Sequence, residues 1–121
     1  MALKDRMRVL TTPAEVDAFL RDNPNSAVFK AGACHQTDAA FTHVQALLET
    51  REDIPLGVIR VVEARPASNR VAELTGVRHE SPQIFLFREG QAVLNYGNWN
   101  ITSAALEEGL RKHFALVAPR A

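Results

Sequence analysis

The chain has 121 residues, 46% of them hydrophobic and 23% charged, which fits one globular domain spanning residues 1–121. Fourteen basic residues balance fourteen acidic ones, and this neutral balance argues against binding to DNA, RNA or an anionic membrane surface. A single cysteine excludes a disulfide scaffold.

The N-terminus lacks the pattern of a secretory signal. Its first eight residues carry four charged side chains and no apolar segment. The longest purely aliphatic or aromatic runs have four residues, as in Ile84–Phe87, whereas a membrane helix needs roughly 20. We therefore expect a cytoplasmic protein.

The first elements are a strand and a well-marked helix. Arg6–Leu10 is a weak strand candidate. Thr12, Pro13 and Glu15 then predict a helix start, because threonine caps the helix, proline suits its first position and glutamate can bond back to the cap. Three apolar residues at helical spacing form the predicted buried face: Val16, Phe19 and Leu20. Asn23–Asn25 ends the helix.

Strand and helix then alternate again. Ala27–Ala31 is a predicted strand that Gly32 ends, and after Cys34 a helix is predicted to about Thr50. The apolar stripe of this helix comprises Ala40, Phe41, Val44, Leu47 and Leu48. Leu56–Val62 is apolar and rich in β-branched residues, which is typical of a strand covered on both faces.

A third helix and a hairpin follow. Pro66 begins the helix and Gly76 caps its C-terminus. Two of its apolar residues are predicted to be buried: Val71 and Leu74. Gln83–Arg88 and Gln91–Tyr96 are β-rich runs joined by Glu89-Gly90, so they predict an antiparallel hairpin.

Thr102 caps a last helix, whose predicted core residues are Leu106, Leu110 and Phe114. The predicted order is therefore β-α-β-α-β-α-β-β-α. Alternating strands and helices imply parallel pairings, and the hairpin adds antiparallel strands to the same sheet. We therefore predict an α/β, thioredoxin-like fold with a mixed central β-sheet flanked by helices on both faces.

Cys34 is the candidate nucleophile. It follows a strand and a glycine and directly precedes a long helix, where the amides of Gln36 and Thr37 have no partner within the helix. A thiolate there accepts from these amides and is stabilised by the helix dipole, which lowers a cysteine pKa. The alternative is a small buried cysteine without reactivity. Its polar neighbours favour an exposed loop.

The residues after Cys34 determine how the thiol can react. Thr37 stands where a dithiol oxidoreductase carries its resolving cysteine, so Cys34 has no partner for an internal disulfide. The Thr37 hydroxyl either donates to the thiolate or bonds to its own backbone. A protonated His35 would stabilise the thiolate, or the side chain is simply exposed, and Asp38 would act in the opposite direction.

Ser81-Pro82 precedes a strand, at the place where thioredoxin-like proteins hold a cis-proline beside the active cysteine. Proline has no N–H, so the strand end stays open, and the Ser81 backbone can pair with an extended substrate segment. The alternative is an ordinary trans turn.

Trp99 either covers the cysteine loop or packs under the final helix, and we favour the second. The four histidines and one cysteine show no metal-ligand spacing, so no metal site is predicted.

Several segments resemble the monothiol bacilliredoxins, thioredoxin-like proteins of bacteria that use bacillithiol as their small thiol. The similarity runs from Val9 to Phe114, and its most specific part is His79–Gln83 together with Arg65 and Ser68-Asn69. The segments that carry it are Val62–Ala72, Thr75–Gln83 and Asn95–Leu106. The family's usual Thr-Cys-Pro-Ile-Ser is here Ala33-Cys34-His35-Gln36-Thr37, a departure that replaces a proline by His35.

The resemblance implies an oxidoreductase that removes bacillithiol from protein mixed disulfides, with Cys34 as the catalytic cysteine and Pro82 as the cis-proline. We expect His35, Gln36 and Thr37 to stabilise the thiolate and Ser81 and Pro82 to bind substrate. The partners are S-thiolated client proteins, and bacillithiol serves as a thiol co-substrate without any further cofactor. The competing hypothesis is a non-catalytic thioredoxin-fold module that binds peptides in the Ser81-Pro82 groove. Iron–sulfur delivery is disfavoured because the Cys-Gly-Phe-Ser loop of monothiol glutaredoxins is absent.

Overall fold

A computed structural model of the chain describes residues 2–33 and 35–114. After a 3₁₀ turn over Leu3–Asp5, the elements are β1 (Met7–Val9), α1 (Pro13–Asp22), β2 (Ser26–Ala31), α2 (His35–Leu48), β3 (Leu56–Arg60), α3 (Arg65–Thr75), β4 (Gln83–Arg88), β5 (Gln91–Gly97), a 3₁₀ turn over Asn98–Asn100, and α4 (Ser103–Phe114). This is the predicted order. None of the described helices is both long and apolar enough to cross a membrane.

The five strands form one mixed sheet in the order β1-β3-β2-β4-β5. Strands β1 and β2 run parallel to β3, whereas β4 is antiparallel to β2 and to β5. Adjacent residues of β2 point to opposite faces, because side chains alternate along a strand. Phe29 packs with α2 and α4 on one face, and Val28 packs with α1 and α3 on the other. Helices therefore cover both faces of the sheet, as predicted.

Local hydrogen bonds explain where the helices begin and end. Thr12 Oγ1 accepts from the Glu15 amide at 3.1 Å, and Glu15 Oε1 accepts from the Thr12 amide at 3.3 Å, which confirms the predicted capping box. The Ala105 amide donates to Thr102 Oγ1 at 3.2 Å, so Thr102 caps α4 as predicted. Gly76 ends α3 in the left-handed region at φ 72°.

Two predictions about burial were wrong. The apolar run that begins at Leu56 leaves the sheet after Arg60, because the Glu63 and Ala64 amides bond back to the Arg60 carbonyl and turn the chain. Val62 is consequently 68% exposed. Leu74, in the last turn of α3, is 44% exposed because it borders a cleft that is open to solvent.

Candidate functional site

Cys34 lies outside the described residues, so its position and its lowered pKa remain predictions. The chain on both sides of it is described. Gly32 and Ala33 follow β2, and His35 is the first residue of α2. The surroundings of the cysteine loop can therefore be established from its neighbours.

Gly32 brings the cysteine loop against the segment that precedes β4. A Cβ atom at position 32 would overlap Ser81 Oγ and would lie 3.3 Å from Thr37 Oγ1. A side chain at position 32 would therefore force the Ser81 hydroxyl to move, and glycine avoids this overlap. Two predicted site residues, Thr37 and Ser81, are thus brought to the loop that precedes Cys34.

The Thr37 side chain secures this loop. Thr37 is buried, and its Oγ1 accepts a hydrogen bond of 2.9 Å from the Gly32 amide. Neither of the two alternatives considered from the sequence included this bond, which connects the start of α2 to the end of β2. The neighbouring side chains are more accessible, since Gln36 is half-buried and His35 is exposed.

The Ser81–Pro82 peptide bond is cis. Pro82 is buried, and its carbonyl accepts from the Asn98 amide at 2.9 Å. Ser81 is half-buried, and among the described residues no backbone hydrogen bond joins it to another residue. Its amide and carbonyl therefore retain their capacity to pair with an extended peptide.

Gln83 fixes the loop that carries Ser81. This side chain is 1% exposed, and its Nε2 donates to the Arg78 carbonyl at 3.1 Å while its Oε1 accepts from the Glu80 amide at 3.2 Å. One buried amide thus satisfies two backbone groups of the loop, as buried polar side chains generally must.

A buried lysine lies behind this loop, and the sequence pattern predicted only that it belongs to a strand. Lys30 is fully buried, and its Nζ lies 3.3 Å from His79 Nδ1 and 5.7 Å from the centroid of the Phe85 ring. No ion pair with an Asp or Glu links Lys30 to the rest of the described chain. Burial lowers its pKa from 10.5 to about 8. The available signal was a charge inside an otherwise apolar strand.

Lys30 determines the state of His79. A lysine ammonium can only donate hydrogen bonds, so His79 Nδ1 must accept and the ring proton resides on Nε2. Ser68 Oγ lies 3.2 Å from the same nitrogen. Burial lowers the pKa of His79, the positive charges of Lys30 and Arg65 lower it further, and Glu80 opposes them. At neutral pH, His79 is therefore an uncharged group with its Nε2–H available to donate.

The final helix is packed by a residue other than the one we predicted. Trp99 is 73% exposed, so the prediction that it lies under α4 was wrong. Ile101 is 3% exposed and belongs to the same core cluster as Leu106 and Leu110. Because Ile101 fills this position, the indole of Trp99 is left at the surface.

In the part of the chain that the structure describes, no group of three or more His, Cys, Asp or Glu side chains could hold a metal ion. The groups shown to lie at the cysteine loop are the Thr37 hydroxyl and Ser81, whose backbone has no hydrogen-bond partner among the described residues. These groups can position and stabilise a sulfur anion and an extended peptide.

Known structures share this architecture. A candidate oxidoreductase with a thioredoxin fold superposes with a TM-score of 0.80 at 25% identity, over 89% of this chain and 96% of its own. Thioredoxin O2 from Arabidopsis thaliana matches with a TM-score of 0.74 at 16% identity, over 93% and 97% of the two chains. Mitochondrial thioredoxin 3 from Saccharomyces cerevisiae matches at 0.73 and 18% identity, over 92% and 99%. The thioredoxin-like fold is confirmed, and this fold together with the family match described next supports a thiol oxidoreductase.

A family model identifies the family to which this chain belongs within the thiol oxidoreductases. The model of the monothiol bacilliredoxin BrxC matches residues 8–106, which include the cysteine loop, the Ser81-Pro82 segment and the turn that carries Trp99. The chain belongs to the monothiol bacilliredoxin family.

The close approach of Gly32 to Ser81 can be tested by substitution. Gly32→Ala should force Ser81 away from the cysteine loop and lower the rate of thiol exchange at least tenfold, which converts to about 1.4 kcal/mol. The double variant Gly32→Ala/Ser81→Ala removes the overlapping oxygen and should recover most of that rate, with Ser81→Ala as the control. An equal loss in the single and double variants, measured with a small mixed disulfide, would contradict the proposed contact.

Lys30 gives a prediction about stability. Below pH 8 it is charged in both the folded and unfolded chains, and the shift of its pKa from 10.5 to about 8 corresponds to a penalty of about 3 kcal/mol on the folded state. Lys30→Met removes this penalty but also the hydrogen bond to His79, which contributes about 1 kcal/mol. We expect the variant to raise the free energy of unfolding at pH 7 by about 2 kcal/mol in urea denaturation.

The pH dependence of this difference has a definite sign. Between pH 8 and 10.5, the folded chain releases the Lys30 proton while the unfolded chain retains it, so this group's contribution to stability rises with pH. The advantage of Lys30→Met should therefore shrink across this window. The charged or titratable neighbours His79, Arg65 and Glu80 are present in both proteins and cancel in the comparison. Lys112→Met, at an exposed lysine, is the control and should show no such trend. A pH-independent difference would contradict the assignment.

Proposed function

We propose that the protein removes bacillithiol from mixed disulfides of client proteins, with Cys34 as the nucleophile. Membership of the monothiol bacilliredoxin family is the observation that carries this proposal. The presence of one cysteine in 121 residues supports it, because one thiol can accept a small thiol but cannot close an internal disulfide.

The exchange has two steps. The Cys34 thiolate attacks the bacillithiol sulfur of the mixed disulfide, a new disulfide forms between Cys34 and bacillithiol, and the client leaves as a thiolate that takes a proton from water. A second small-thiol thiolate, or the thiolate of another redoxin, then attacks the bacillithiol sulfur and releases the Cys34 thiolate. Each step exchanges one disulfide for another, so no external oxidant or reductant is consumed apart from the second thiol.

The neighbouring residues have distinct roles in this proposal. The Thr37 oxygen accepts from the Gly32 amide, which leaves its hydroxyl proton available to donate to the Cys34 thiolate. The amides of Gln36 and Thr37 and the positive end of α2 stabilise the same charge, to which a protonated His35 would add. The Ser81 backbone, placed by Pro82, pairs with the client segment.

These roles also specify the partners. The client is a protein that carries a small thiol on an accessible cysteine, as forms during oxidative stress. The chain requires bacillithiol or a related thiol as co-substrate and no bound cofactor. We place this activity in the cytoplasm, where protein thiols are kept reduced.

Substitution of the cysteine tests the proposal. Cys34→Ala should abolish the release of bacillithiol from a bacillithiolated client, measured by mass spectrometry of the client, while Cys34→Ser provides a matched polar variant. If the protein is instead a peptide-binding module, Cys34→Ala will bind the client as well as the wild type does and the wild type will show no release.

The ionisation of the Cys34 thiol can be measured separately from the release of bacillithiol. The rate of Cys34 alkylation by iodoacetamide should titrate with an apparent pKa below about 8.5, the value of a free cysteine. Thr37→Val removes the hydroxyl at nearly constant volume and should raise that apparent pKa. A wild-type value at or above about 8.5 would refute the thiolate mechanism.

A further inference from the structure

A polar cleft lies around Trp99, and the exchange mechanism makes no use of it. Its volume is about 440 Å³, within the range of about 300–1,000 Å³ that small-ligand sites span. Beside the exposed indole, it is lined chiefly by Glu80, Asn95, Tyr96, Asn100 and Thr102. A large aromatic side chain exposed among polar groups commonly marks a recognition site.

The chemistry of the lining selects a class of ligand. The amide and hydroxyl groups both donate and accept hydrogen bonds, the Glu80 carboxylate accepts them, and the indole offers a flat apolar face. Among the described residues that line the cleft there is no Lys, Arg or His, so this lining does not favour an anion. A molecule with many hydroxyls and an apolar face of C–H groups matches this surface, and a sugar ring has both.

Two contacts hold Glu80 in the cleft wall. Its Oε1 accepts from Asn98 Nδ2 at 3.0 Å. Gly97 lies directly beneath it, since a Cβ at that position would overlap the Glu80 carboxylate. The second oxygen of the carboxylate remains available, and no ion pair to Glu80 exists within the described residues.

The cleft adjoins the reactive site. Glu80 immediately precedes Ser81, whose Oγ abuts Gly32 of the cysteine loop. The 3₁₀ turn that carries Trp99 begins at Asn98, whose amide bonds to the Pro82 carbonyl. Residues of α2 also contact this turn. A small thiol bound through its sulfur at the loop therefore has this cleft beside it.

We propose that the Trp99 cleft is a subsite for the sugar portion of the small thiol, with the ring against the indole and its hydroxyls on Glu80 and Asn100. The inference rests on the proposed function, because bacillithiol joins its cysteine to an amino sugar. The subsite distinguishes bacillithiol from thiols that lack a sugar.

Kinetics with two matched substrates test the subsite. One client peptide is prepared as a mixed disulfide with bacillithiol and, separately, with cysteine, which lacks the sugar. Trp99→Ala should raise KM for the bacillithiol substrate about tenfold and leave KM for the cysteine substrate within about twofold. Trp99→Phe should lie between these values. Leu74→Ala is the control, since Leu74 is an exposed apolar residue beside the β4–β5 turn, at the opposite end of the sheet.

Direct binding gives a second readout. Trp99 is the only tryptophan in the chain, so intrinsic tryptophan fluorescence reports on this cleft alone. In a Cys34→Ser variant, where no exchange takes place, methyl glucosaminide should shift the emission in a saturable manner. Glycerol at the same concentration should not, and Asn100→Ala should weaken the response.

The outcomes separate the subsite from the proposed function. If Trp99→Ala slows both substrates equally, the indole contacts the client protein and the subsite is wrong. If the substitution changes neither KM, the subsite is also wrong, although bacillithiol removal stands. If the wild type reduces only the cysteine substrate, the proposed function fails, and the methyl glucosaminide titration alone then decides whether the cleft binds sugar.

Discussion

The close approach of Gly32 to Ser81 is the contact on which the candidate site depends. These two segments are almost fifty residues apart, and they approach closely because position 32 carries no side chain. At the start of α2, Thr37 Oγ1 accepts a hydrogen bond from the Gly32 amide and so holds the same loop. The contact joins the loop before the cysteine to the cis-proline corner. The proposed pairing of a client segment beside the reactive cysteine requires these two segments to stay together.

Two buried polar side chains, Gln83 and Lys30, also hold the loop that precedes β4. Gln83 bonds to the backbone at both ends of the Arg78–Glu80 segment, and Lys30 holds His79 through its Nδ1. A buried ammonium without a carboxylate partner lowers the stability of a fold. Lys30 orders the loop in return, because its ammonium reaches His79 and orients the imidazole ring, which an apolar side chain could not do.

The sequence predicted most of the fold because the relevant signals are local. The capping box at Thr12 and Glu15, the cap at Gly76 and the hairpin turn at Glu89-Gly90 each depend on residues a few positions apart. Strand alternation with helices then predicted the mixed sheet.

The site was only partly predictable, because its contacts join distant segments. The sequence pointed to Thr37, Ser81 and Pro82, yet nothing local shows that Lys30 meets His79 or that Gly32 meets Ser81. Trp99 was misjudged for a related reason. Large aromatic residues are commonly buried, but Ile101, two residues later, occupies the core position that we assigned to the tryptophan.

The edges of the sheet bear on how extended polypeptides approach the molecule. At one margin β1 offers only three residues, and at the other β5 pairs with β4 through an irregularity at Leu86/Phe87. Short or bulged margins discourage another chain from adding a strand along the flank. Foreign backbone is thereby disfavoured at the sides of the domain, while the amide and carbonyl of Ser81, which bond to none of the described residues, lie next to the cysteine loop. The choice of polypeptide can thus depend partly on the sheet edges, because edges that do not accept an added strand leave the Ser81 backbone as the place where an extended segment pairs.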